Sequence, residues 1–239
     1  MDHDWPCPTC PAYHYPGFCR ALLGGSSQES RLQQQPNWQE FRTARANENI
    51  VLRDEKSEYI YILCEGWAFR FFQVRDGRRQ ILHMLLGPGD LFSAVTAFEE
   101  KLNFSVQALT EVRFGRIKRT EFKAQLTVNP ALSIALTQTC IAQSNATDEL
   151  LTAIGRLSAE ERIAYLFLHL IKRLASRSVI HEQRYPFPLR QQHIAEITGL
   201  TSVHVSRVIG TFRDRGLIDL SGGFLTVFKL AELERLGSL

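Results

Sequence analysis

The stretch LRQQHIAEITGLTSVHVSRVIGTFRDRGLIDLSGGFLTVF, residues 189–228, constrains the fold more than any other part of the chain. RQQHIAEIT reads as a short helix with Ile194, Ala195 and either Ile197 or Thr198 turned inward. Gly199 tolerates the positive φ of a sharp turn because it has no Cβ to clash. Leu200 anchors that turn, and Thr201 or Ser202 can cap a second helix. In the second helix Val205, Val208, Ile209 and Phe212 fall at i, i+3, i+4 and i+7, which is one buried stripe. The opposite face carries Ser202, Val203, Ser206 and Arg207, with Arg213 and Arg215 near the end. Two short helices about a glycine turn, the second polar and arginine-bearing in its N-terminal half, describe a helix-turn-helix. LIDL, the Ser-Gly-Gly turn and FLTVF then add a two-stranded wing.

The charge distribution agrees with a nucleic-acid partner. Residues 156–239 hold 12 Lys+Arg against 8 Asp+Glu, whereas the rest holds 16 against 17, so the positive surplus lies in the C-terminal third. A length of 239 residues accommodates two domains. At 44% hydrophobic and 22% charged, the chain is neither disordered, collagen-like nor a bare coiled coil. It has no run of 18 apolar residues, and MDHDWPCPTC is neither a signal nor a transit peptide, so a cytoplasmic protein without membrane contact is expected. No nucleophile–base pair, Walker A loop, HExxH or framed carboxylate pair points to an enzyme. His169 and His193 sit on expected helices, where surface or packing roles are the default.

Upstream the pattern is β. YIYIL (59–63), WAFRFFQV (67–74), RRQILHMLL (78–86), FSVQAL (104–109) and VRFGRI (112–117) are rich in aromatic and β-branched residues. Asp76-Gly77 marks a hairpin between two of them, with Arg78 and Arg79 on its exposed side, and Gly87-Pro88-Gly89-Asp90 marks a second tight turn. Short strands at this spacing predict a β-barrel or β-roll. After Pro130 about 25 residues read as helix, with Leu132, Leu136, Thr139, Gln143, Ala146, Leu150 and Ala153 in a heptad seam that suits either a core helix or a dimer interface. Ser158 and Glu161 form a capping box ahead of IAYLFLHLIKRL. Three of five cysteines, Cys7, Cys10 and Cys19, crowd into thirteen residues among four prolines, while Cys64 and Cys140 stand apart. Such clustering points to metal or redox chemistry.

ILCEGWAFRF, DGRRQIL, LLGPGDLFS, LSAEERIAYLFLHL and LRQQHIAEITGLTSVHVSRVIGTFRDRGLI, in this order, resemble the CRP/FNR superfamily of bacterial transcription regulators over nearly the whole chain. The resemblance implies an α+β fold: an N-terminal arm (1–37), a cyclic-nucleotide-binding-like β-roll or jelly roll (38–125), a long dimerisation helix (126–156) and a winged helix-turn-helix (157–239). It implies a homodimer on a palindromic operator of double-stranded DNA, with RNA polymerase as a further partner. Arg207 can donate two bonds to guanine O6 and N7, Ser206 can bond a base edge, and Ser202 sits among these base-facing residues where it would meet a methyl or a phosphate. Many family members carry glutamate where this chain has Val203, which can only pack on a thymine methyl. Arg190, Gln191 and Thr201 are expected phosphate contacts.

The sensor side departs from the cyclic-nucleotide members. Ala94 stands where they carry a ribose-binding glutamate, and Phe104-Ser105 replaces their phosphate-binding Arg-Ser, so cyclic AMP is disfavoured. Cys7-x2-Cys10-x8-Cys19 resembles the iron–sulfur segment of the oxygen-sensing FNR group. That group has a shorter gap before its third cysteine, and Gly115 occupies the position of its fourth ligand. Cys64 or a histidine such as His3 or His14 could complete the set; an iron–sulfur centre or other metal, a thiol switch and a ligand-free remnant all remain open readings.

Overall fold

A computed structural model describes residues 18–22, 39–176 and 183–239, so Cys7, Cys10, His3, His14 and the polar run 24–37 lie outside the described residues. Strands β1 (Gln39–Ala44), β2 (Asn49–Val51), β3 (Tyr59–Glu65), β4 (Trp67–Gln73), β5 (Arg79–Leu86), β6 (Ser105–Ala108) and β7 (Val112–Lys118) form two sheets, ordered β1-β7-β3 and β2-β6-β4-β5. The expected β-roll is present. Chain contacts divide the molecule into two compact units, Met1–Phe72 with His83–Ser144, and Gln73–Leu82 with Asn145–Leu239.

In the first unit, strand periodicity of two decides which core each side chain joins. From β3, Leu63 packs with Phe92, Phe104, Val106 and Phe114 in one cluster, and Tyr61 stacks on Phe92 at 5.4 Å. Its neighbours Ile60 and Ile62 face the other way, into a second cluster with Leu91, Ile117 and Phe122. That second cluster is closed by helices α1 (Phe18–Leu22), α2 (Arg119–Val128) and the start of α3 (Pro130–Arg156). Phe18 and Leu22 are buried there, with the Phe18 and Phe122 ring centroids 5.9 Å apart. Residues 18–22 are thus part of the β-roll core and not of a separate arm, because two aromatic or aliphatic side chains spaced i, i+4 on one helix face can enter the cluster together. The long helix begins at Pro130, after the shorter α2, and not at residue 126.

The heptad seam faces inward over its first half. Leu132 and Leu136 are buried in the second cluster, and Gln143 accepts from the Ala94 N–H and donates to the Leu91 carbonyl, both at 3.4 Å. The large apolar residues that α3 leaves exposed are Ile134, Ile141 and Leu151, the first two one heptad apart. The sequence seam was therefore offset from the exposed stripe by two positions, since hydrophobicity alone does not distinguish the face a sheet covers from the face left open.

The second unit is built on α4 (Ala159–Ala175), opened by the expected capping box: Ser158 Oγ accepts from the Glu161 N–H and Glu161 accepts from the Ser158 N–H at 2.7 Å. Ile163, Phe167, Leu170 and Leu174 bury its inner face, and Phe167 meets Phe187 edge-on at 5.3 Å. Helix α7 (Leu230–Gly237), which the sequence reading passed over, lies so close to α4 that a Cβ on Gly237 would sit 2.6 Å from the Tyr165 nitrogen. Only glycine permits that approach. Beside α4, Tyr165 Oη donates to Glu149 at 3.1 Å, and burial, more than the nearby Arg173, pushes the His169 imidazole down to about 4.

Candidate nucleic-acid interface

Helices α5 (Gln191–Thr198) and α6 (Ser202–Asp214) meet through Gly199, whose φ of +69° is the left-handed turn expected of it. Thr198 Oγ1 donates to the Ile194 carbonyl at 2.7 Å, and Arg162 donates to the Thr198 carbonyl at 3.3 Å, so the end of α5 is held by α4. Thr201, not Ser202, caps α6: its hydroxyl accepts from the His204 N–H at 3.3 Å. Val205, Val208, Ile209 and Phe212 are buried as the stripe required. The wing has three strands, not two: β8 (Arg184–Pro186) joins β10 (Phe224–Val227), which pairs with β9 (Ile218–Ser221). The Arg184 guanidinium lies 4.0 Å over the Phe224 ring and ties β8 to β10.

The four residues expected to face bases, Ser202, Val203, Ser206 and Arg207, are all exposed on one side of α6. Arg190, Gln191 and Thr201, expected at phosphates, are exposed around the α5 start and the turn. The arginines in α6 and at its C-cap sort themselves by partner. Arg213 pairs with Asp219 at 3.5 Å and also donates to the Leu220 carbonyl. Arg215 bridges Glu160 at 3.3 Å and Glu232 at 2.5 Å, which holds the Glu232 carboxyl below its ordinary range. Arg207 has no ion pair among the described residues, so its guanidinium is available to an outside acceptor. His204 is exposed beside it and escaped the sequence reading; its place in the first turn of α6 was the signal.

The face of α5 away from the turn carries a contact that sequence reasoning missed. Arg79, at the hairpin tip, pairs with Glu196 at 3.0 Å with both side chains four-fifths or more buried, and Gln80 donates to the Ile197 carbonyl at 3.1 Å. Gln192 donates to the same Glu196 at 3.0 Å. Arg78 alone remains on the exposed side, paired with Asp76, so the expectation that both arginines are exposed is corrected for Arg79. Sequence offers no signal for a pair 117 residues apart. His193, also in α5, accepts from the Arg190 N–H at 3.1 Å, and its burial lowers its pKa.

The cysteines of the described residues, Cys19, Cys64 and Cys140, are each half-buried. Cys19 Sγ donates to the Gly89 carbonyl at 3.9 Å, and Cys140 packs against the same cluster as Cys19. Cys64 Sγ donates to the Ile62 carbonyl at 3.7 Å within β3. Gly115 lies in β7 opposite Phe41 and Ile62 and offers no side chain. Among the described residues no three Cys, His, Asp or Glu side chains gather as a metal site. None of the described helices is long and apolar enough to cross a membrane.

Residues 41–129 match the cyclic nucleotide-binding domain and residues 161–236 the Crp-like helix-turn-helix domain. The nitrogen fixation regulation protein FixK of Azorhizobium caulinodans is 32% identical over 174 residues, 73% of this chain and 69% of that protein. The transcriptional activator protein FnrL of Cereibacter sphaeroides is 25% identical over 219 residues, 90% of this chain and 85% of its own. In fold, FixK2 from Bradyrhizobium japonicum superposes with a TM-score of 0.75 at 22% identity, over 84% of this chain and 98% of that one. With both domains matched in their sequence order and a FixK relative 32% identical over 73% of the chain, the chain belongs to the CRP/FNR superfamily of bacterial transcription regulators.

Proposed function

We propose that the protein is a homodimeric regulator that reads a palindromic duplex through α6 and responds to redox state through its N-terminal cysteines. The observation that carries the DNA-reading part is the free guanidinium of Arg207 among exposed Ser202, Val203 and Ser206, on a helix fixed by a cap, a left-handed turn and a buried stripe. Arg207 reads guanine O6 and N7, Ser202 and Ser206 bond base edges, and Arg190, Gln191 and Thr201 hold phosphates. The exposed Ile134, Ile141 and Leu151 along α3 supply the apolar stripe of a two-fold helix pair. RNA polymerase is the partner by which a bound dimer alters transcription.

For the input, Ala94 and Phe104 are buried within core clusters, where a ribose and a phosphate would need charged partners, so the sensor does not answer to cyclic AMP. Cys19 instead sits on α1, whose Phe18 and Leu22 pack with Leu132 and Leu136 at the start of α3. Rearrangement of the cysteine segment thereby acts on the packing of the dimer helix. Cys7, Cys10 and Cys19 are the thiols that would hold an iron–sulfur cluster or other metal, with Cys64 as a further ligand; a bound cluster would supply oxygen-labile redox chemistry. Without metal the same thiols act as a switch by oxidation.

Anaerobic purification with iron, sulfide and zinc analysis separates the two inputs. Operator affinity that falls steeply as salt rises, and that changes on oxidation in the wild type but not in a Cys7/Cys10/Cys19→Ser triple variant, supports the whole reading. Identical affinity of both proteins with and without oxidant overturns the redox part. Binding without sequence preference overturns the reader.

A further inference from the structure

We infer that Val203 makes the protein a reader of the 5-methyl group of a pyrimidine, placed beside the guanine taken by Arg207. The inference rests on the DNA-reading assignment above and names what that surface recognises. Val203 is 69% exposed in the first turn of α6, the one large apolar side chain left open on either helix of the motif. Its neighbours on that face, Ser202, Ser206 and Arg207, are all polar. A β-branched residue is a mediocre choice for an exposed helix position, where straight-chain polar residues lose less rotamer freedom. Its isopropyl group has neither donor nor acceptor, so it cannot take part in hydrogen-bond readout. In the major groove the apolar feature is the C5-methyl of thymine, and an aliphatic side chain rewards its presence by burial.

Spacing adds a second constraint. Val203 and Arg207 are i, i+4 neighbours, with Cβ atoms about 5–6 Å apart on one helix face. Bases along a strand rise about 3.4 Å per step, so the methyl group and the guanine lie within about two base steps of each other. The Arg207 stem and the Val203 methyls can then cover the pyrimidine methyl from two sides while the guanidinium reaches the guanine. Because the contact is with the methyl and not with the 4-position, 5-methylcytosine satisfies it as thymine does. Cytosine methylation at that base pair would therefore strengthen binding.

The test starts from duplexes selected by the full-length wild-type protein from a random library. The pyrimidine nearest the Arg207-dependent guanine is then made thymine, uracil, cytosine or 5-methylcytosine in otherwise identical duplexes. Removing the methyl from thymine should weaken wild-type binding about fourfold per half-site, the value of one buried methylene-sized group. Adding it to cytosine should strengthen binding by a similar factor. Val203→Ala should abolish both differences, and Val203→Thr, which keeps one methyl and the same branching, should retain part of them; position 203 is exposed, so the fold is spared in both variants. Methyl effects of equal size in wild type and Val203→Ala overturn the inference, as does a selected half-site with no thymine within two steps of the guanine. Selection of no preferred sequence at all is a different failure and overturns the DNA-reading assignment together with it.

Discussion

The two units treat their departures from simple sequence expectation in opposite ways. In the β-roll, the positions where cyclic-nucleotide members carry charge, Ala94 and Phe104, are 1% and 4% exposed and belong to packed cores. In the helix-turn-helix, the position where many members carry a carboxylate, Val203, is 69% exposed. A charged-to-apolar change in a β-roll interior removes a ligand partner and fills its space. The same change on the outer face of α6 leaves the scaffold untouched and alters only what an incoming surface meets. On the proposed function, apolar residues silence one recognition site and retune another, and burial decides which.

The largest expected effect separates the units by their cores. Phe212 is fully buried in the DNA-binding unit, and Phe212→Ala should cost about 3–5 kcal/mol and abolish specific binding with it. Phe104→Ala should cost stability of the same order in the β-roll while the native fraction still binds operator. Denaturant melts followed by titration against one duplex measure both; equal loss of binding in the two variants would break the contrast.

A second difference is pH sensitivity, which should reside in the DNA-binding unit. His169 is held at about 4 by burial, with Arg173 and Lys172 opposing and Glu149 favouring its charge. The unfolded chain, with an ordinary pKa near 6.5, therefore takes up a proton that the folded state refuses as pH falls from 6.5 towards 4. Stability should be unaffected above that window and decline through it by about 3 kcal/mol, levelling below. His169→Gln should flatten this slope in melts taken between pH 4 and 7. An unchanged slope would assign it to other groups.

Next in size is the contrast among arginines of α6. Arg207→Ala should cost about 1–3 kcal/mol per half-site and relax discrimination at one base pair. Arg213→Ala, which removes a pair with Asp219, should change affinity less and base preference not at all. Equal losses on specific and random duplexes would reassign Arg207 to phosphate. The smallest effect belongs to the hairpin tip. Arg79→Ala removes the cation beside the mostly buried Glu196 carboxylate, leaving it the Gln192 amide as a hydrogen-bond partner, and should lower stability by about 2 kcal/mol. The swap Arg79→Glu with Glu196→Arg should recover part of it; failure to do so would mean the pair contributes through packing alone.

How much of this was legible follows the range of each interaction. Gly199 at the turn, the Ser158 capping box and the buried stripe of α6 were readable because each is decided within a few residues by φ, hydrogen bonding or helical period. Cys19 was legible as a clustered thiol, but not as part of a helix seated beside Phe122, since five residues carry too little pattern to declare a helix without the core that receives it.

By itself the sequence determined the order of parts, the two helices of the helix-turn-helix and the residues on the outer face of α6, because amphipathic period fixes a helix's orientation once it has one core to bury. Tertiary structure alone decided which face of α3 stays open, which of Arg207, Arg213 and Arg215 is free, and that Arg79 meets Glu196. Each of those depends on partners brought from far along the chain, and a charge or a leucine carries no mark of the distant group it will meet. The freedom of Arg207 is the clearest case: its neighbours in sequence are no less basic, and only their carboxylate partners, Asp219, Glu160 and Glu232, leave it as the arginine turned outward.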